Sequence, residues 1–103
     1  MIVPAAVVHY QEVEEGVRAV EAASKPDVVR IRYTIGEDWA DRWAIFFRIV
    51  LSDDAAEDRL RESTNSVERR LDERLNFPAL GVLAYHNYRS ESEQADLQEE
   101  DWA

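Results

Sequence analysis

The chain has 103 residues and a mass of 11.9 kDa, which is room for one ordinary domain. Apolar residues make up 46% and charged residues 33%, with three Gly, three Pro and no Cys; this excludes collagen-like, low-complexity and disulfide-stapled chains, and any thiolate metal site. A net charge of −10 opposes generic binding to nucleic acid or to an anionic membrane, and so neither is expected as a partner.

Pro4 suits the first turn of a helix, and Val13, Val17 and Val20 follow at helical spacing, predicting a helix over residues 4–23. Ser24, Lys25 and Pro26 end it, because proline disfavours helical geometry in the residue before it. The alternative makes residues 2–8 a strand and the whole a ferredoxin-like β-α-β-β-α-β chain. Pro4 then falls inside a central strand, where it deletes a ladder hydrogen bond.

Residues 28–36 and 43–51, rich in β-branched and aromatic side chains around a polar break, predict a hairpin. With a three-residue loop at Asp38, Trp39 and Ala40, Ile35 opposes Trp43, Tyr33 opposes Ile45 and Ile31 opposes Phe47, giving one apolar face. Alternation then places Arg30, Arg32 and Thr34 beside Ala44, Phe46, Arg48 and Val50 on the other face. A one-residue slip exchanges the faces of one strand against the other and buries arginine, and so the pattern itself supports this register.

Ser52, Asp53 and Asp54 are cap residues for a second helix that ends near Leu75, with Ala56, Leu60, Val67, Leu71 and Leu75 as its apolar stripe. Asn76, Pro78 and Gly81 mark a turn, and residues 82–90 predict a third strand. A strand–helix–strand crossover makes that strand parallel to the second. The expected fold class is α+β: a two-layer sandwich of order α-β-β-α-β with a small mixed or antiparallel sheet. Residues 1–90 form the single domain and residues 91–103 an acidic C-terminal tail, which carries six acids and no base. The other ninety residues are nearly balanced, with 16 acids and 12 bases. The tail either frays as a solubilising terminus or folds when it docks in a basic, apolar groove on a partner by way of Trp102.

Eleven of the 12 bases are arginine, whose planar fork suits organised pairing. Arg30, Arg32 and Arg48, which Arg89 joins if the alternation of the third strand falls on that face, make the leading candidate binding face. It accepts a phosphate, a carboxylate or an acidic peptide, or else it is neutralised by the chain's own acids, with the tail as the nearest masking partner. Trp39, at the hairpin tip among Glu37, Asp38 and Asp41, either folds back on the sheet or anchors an interface. Those carboxylates read as a solvated turn, because no EF-hand spacing supports a metal. His86 and Tyr88 share one strand face, but no nucleophile elbow, metal motif or glycine-rich phosphate loop accompanies them. No catalytic residue, metal ligand or cofactor is assigned.

The expectation is therefore a non-enzymatic, cytoplasmic protein-interaction module. Its sheet edges predict a homodimer, and its acidity predicts an adaptor or antitoxin-like protein that meets a partner protein with a basic groove. Arg30, Arg32, Arg48, Arg89, Trp39 and Trp102 are the candidate contact residues. The alternative is a small-ligand or phosphate-binding domain that uses the arginine face. The apolar run at residues 2–8 is too short for a signal core, and no segment approaches the length of a membrane span.

Overall fold

The structure is a computed structural model that describes residues 3–103. In chain order it contains α1 (Ala5–Val8), α2 (Tyr10–Ala23), β1 (Val28–Glu37), β2 (Trp43–Leu51), α3 (Asp53–Asp58), α4 (Leu60–Arg74), α5 (Phe77–Leu80), β3 (Leu83–Ser90), α6 (Glu91–Leu97) and a 3-10 turn at Glu100–Trp102. This is an α+β fold whose order is roughly α-β-β-α-β, with shorter helices added. The predicted first helix is broken at His9, which leaves helical geometry at φ −103° and ψ 36°. Residues 5–8 are helical rather than extended, which removes the strand that the ferredoxin-like alternative requires there; Ile2 lies outside the described residues.

The sheet has strand order β1-β2-β3, with β1 antiparallel and β3 parallel to β2. The hairpin register differs from the expected one by two residues: Ile35 opposes Ile45, Tyr33 opposes Phe47 and Ile31 opposes Ile49. The cause is a longer loop. Asp38 N–H donates to the Arg42 carbonyl at 2.8 Å, and Asp41 turns the chain in the left-handed region at φ 59°. A shift of two residues keeps every side chain on its predicted face. A bulge between Val28 and Arg30 absorbs one further residue at the start of β1.

Helices α2 and α4 cover the first face. Val13, Val17 and Val20 of α2 and Val67 and Leu71 of α4 meet Ile31, Ile45, Phe47 and Ile49 in one buried cluster. The second predicted helix is also divided. It stops at Arg59, with φ −137°, so the apolar stripe does not run through the break and Leu60 is 51% exposed. Ser63 takes a buried position instead, its hydroxyl donating to Asp27 at 2.7 Å, where Arg59 also binds at 2.9 Å. Gly16 permits the close approach of α2 to the end of α4, since a Cβ there would stand 2.7 Å from a Leu75 methyl.

Candidate functional site

The second sheet face has four rows across the strands, fixed by the register. They are Gly36–Ala44–Leu83, Thr34–Phe46–Tyr85, Arg32–Arg48–Asn87 and Arg30–Val50–Arg89. The structure thus brings together Arg30, Arg32, Arg48 and Arg89 at one end of a rigid sheet, and residues 91–103 lie across them.

This segment is ordered by recognisable local devices. The Ser90 hydroxyl accepts from Glu93 N–H while the Glu93 carboxylate accepts from Ser90 N–H, a capping box that starts α6. Ser92 donates from its amide and its hydroxyl to the Asp53 carboxylate, at 3.0 and 2.6 Å, tying α6 to the start of α3. These bonds hold the Asp53 carboxyl below the usual carboxylate range. Gln98 ends α6 in the left-handed region at φ 53° and turns the chain back over the sheet.

Beyond Gln98, the arginines grip the main chain. Arg48 Nε donates to the Asp101 carbonyl at 2.7 Å, Arg30 Nε to the Trp102 carbonyl at 2.8 Å and Arg32 Nε to the Ala103 carbonyl at 3.1 Å. The Trp102 ring, 8% exposed, lies under the Arg89 guanidinium, whose central carbon is 4.3 Å from the ring centroid. Arg89 also donates to Gln94 at 3.0 Å and to the Glu99 carboxylate at 2.9 Å, and the buried Gln94 amide donates to the Glu99 carbonyl at 2.7 Å. The segment is neither frayed nor free to dock on a partner as a disordered tail: it is folded on this chain's own arginine face, with Trp102 buried. The masking groups are mainly carbonyl oxygens. Glu91, Glu93, Asp96, Glu100 and Asp101 remain exposed on the outer surface of the segment.

The other end of the face is uncovered. Trp39 is 80% exposed, with its ring 5.4 Å from Tyr85, which stacks in turn on Phe46 at 5.4 Å. A Cβ added at Gly36 would meet nothing within 4 Å. The hairpin-tip carboxylates divide, because Asp38 is consumed by its own loop. It accepts from Ala40 N–H, Arg42 N–H, the Arg42 guanidinium and the Tyr85 hydroxyl at 2.8–3.2 Å. Burial pushes its pKa up, but the Arg42 amide, the Tyr85 hydroxyl and the Ala40 amide outweigh burial and hold it below the usual range. Among the described residues, no group of three or more His, Asp or Glu is placed to hold a metal ion.

His86 and Tyr88 share one face, as their alternation predicts, and it is the face toward the helices. The Tyr88 hydroxyl donates to Glu68 at 2.5 Å, and His86 Nδ1 lies 3.7 Å from the same carboxylate. Burial raises the Tyr88 pKa and lowers that of His86, whose ring stacks on Phe47 with Nε2 buried and without a partner among the described residues. This is a packed row of the core rather than an open acid–base pair. A cleft of about 500 Å³ lies elsewhere, between the α1–α2 junction and the start of α5, and is lined by His9, Glu12, Arg74 and Asn76 among others.

Sequence reasoning named the four arginines, which the structure brings onto one face, and Trp39 and Trp102; it gave no role to Gln94 or Glu99 and read Asp38, which is buried, as part of a solvated turn. The spacing of Ser90 and Glu93, a capping-box signature, was the available signal that residues 91–103 begin as a helix. Comparison with protein-family models, with curated proteins and with solved structures finds no match for this chain. No helix is long and apolar enough to cross a membrane.

Proposed function

We propose that this chain is a non-enzymatic protein-interaction module, a homodimeric adaptor or antitoxin-like protein that binds a partner with a basic groove. The observation that carries this reading is the seating of residues 91–103. The arginines take main-chain carbonyls and leave five carboxylates on the outer surface of a segment pinned by Trp102 and Ser92. An ordered acidic surface loses less entropy on binding than a free tail, and its field accelerates encounter with a basic partner. Exposed Trp39 supplies an aromatic anchor of the type that dominates interface energies.

Self-pairing is supported by the Tyr33–Ile35 part of the β1 edge, beyond the part covered by side chains at Val29 and Ile31. Glu21 and Arg18 bind the amide and carbonyl of Ile31, while among the described residues no side chain hydrogen-bonds to the main chain of Tyr33 or Ile35. The small-ligand reading ranks second, because the arginine face it requires is occupied by the chain's own segment.

Native mass spectrometry of the chain recovered from its source tests the reading. The expected result is two copies of the chain with a second, different protein. That protein should be lost on changing Trp39 to Ala and Glu91, Glu93, Asp96 and Glu100 to Gln. A bare monomer, or a chain carrying only a small anionic ligand, overturns it.

A further inference from the structure

The arginine end of the second face has the construction of a recognition site, independent of the acidic outer surface. Three guanidinium groups each give Nε to one of three successive main-chain oxygens, at 2.7–3.1 Å. Such contacts read a main chain in one conformation whatever its sequence. Side-chain selection comes from the Trp102 slot beneath Arg89 and from Glu99, three residues earlier, which pairs with Arg89 at 2.9 Å. The occupant meets the geometry of the site and the charge of Arg89, but not the charges of Arg30 and Arg48. Among the described residues, neither Arg30 nor Arg48 has a carboxylate within ion-pair distance, and the Glu100 and Asp101 residues beside them are exposed.

We propose that Arg30, Arg32, Arg48 and Arg89 form a peptide-binding site for an acidic, tryptophan-bearing segment of a partner protein, and that residues 98–103 occupy it in cis. The cis occupant defines the ligand class: an aromatic side chain for the slot, a carboxylate three residues before it for Arg89, and neighbouring acids to meet Arg30 and Arg48. An incoming segment that points a carboxylate inward gains charge-assisted bonds that the carbonyls do not provide.

Release has a defined pivot. The capping box and the Asp53–Ser92 bonds hold α6 in place, whereas Gln98 adopts a left-handed conformation that a non-glycine residue disfavours. Residues 98–103 can therefore leave while α6 stays. A tethered occupant competes at an effective concentration on the order of millimolar, so a free peptide meets a largely filled site in the intact chain.

The test uses the full chain and a labelled peptide copying residues 98–103, with binding read by fluorescence anisotropy. The Trp102→Ala chain is expected to bind the peptide at least tenfold more tightly than the unaltered chain. Adding Arg48→Ala removes the gain, as does replacing the peptide's tryptophan by alanine. If Trp102→Ala fails to fold, the unaltered chain decides the matter by NMR: saturating peptide should move the Trp102 indole N–H to a solvent-exposed shift while amides of β1 and β2 stay in place. Equal affinity for both chains, no binding to either, an unmoved indole, or equally effective displacement by inorganic phosphate overturns the proposal. Since none of these readouts involves a basic partner, they fail independently of the interaction reading above.

Discussion

Replacing Trp102 with alanine is expected to release residues 98–103 without unfolding the domain. Three guanidinium–carbonyl bonds are worth about 5–9 kcal/mol at most, against about 6–12 kcal/mol to order the backbone of six residues. Burial of the tryptophan ring, worth about 3–5 kcal/mol by truncation, tips that balance toward docking. The exposed Arg89–Glu99 pair adds about 0–1 kcal/mol and does not replace the ring. Trp102 lies outside the buried cluster between the sheet and α2 and α4, so the loss stays local. Amide hydrogen exchange read by mass spectrometry should show 98–103 losing protection while β1 and β2 keep theirs. The melting temperature should fall by about 8–16 °C, the shift for the roughly 2 kcal/mol net contribution that the midpoints of those ranges leave. Protection of 98–103 that survives the substitution, or strands that lose protection in parallel, refutes the reasoning.

Three further outcomes follow from the packing and the ionisable groups. Burial lowers the His86 pKa, so the folded state binds fewer protons than the unfolded one; stability is full above the unfolded value of about 6.5 and falls as pH drops below it. His86→Gln should flatten the melting temperature between about pH 7 and 5, and an unchanged slope contradicts the assignment. The Asp27 carboxyl is held below its usual range first by the Arg59 hydrogen bond and then by Ser63, so its contribution is present above about pH 4 and lost as the carboxyl protonates below that. In Asp27→Asn that acid-dependent part should vanish from a pH series of thermal melts. Gly16→Val places methyl groups against Leu75 and should cost about 1–3 kcal/mol in chemical denaturation, whereas Gly36→Thr, which fills open space in a strand, should be neutral or stabilising by about 0.5–1 kcal/mol.

What the sequence made legible depended on the range of the interaction involved. Alternation is local, and so the faces of β1 and β2 and the membership of Arg30, Arg32, Arg48 and Arg89 in one surface were readable. The loop length was not, because it rests on Asp38, whose carboxylate is held by Arg42 and by Tyr85, 47 residues away in the chain. The helix breaks at His9 and Arg59 were hidden for a related reason. Neither position carries proline or glycine, and the break before Leu60 coincides with the Asp27–Arg59–Ser63 cluster, which joins elements 32 to 36 residues apart. The acidic composition of residues 91–103 suggested fraying, yet the arginines hold that segment by its carbonyls, groups every residue has and no composition reveals.

Residues 98–103 are seated across the four arginines, and both proposed surfaces depend on that seating. Backbone ¹⁵N relaxation on the unaltered chain measures it directly. Order parameters at Asp101 and Trp102 equal to those of β1 and β2, near the rigid-backbone value of about 0.85, are the predicted result. Values below about 0.6 over 98–103 would contradict the seating, and with it both the ordered acidic surface and the cis-occupied peptide site.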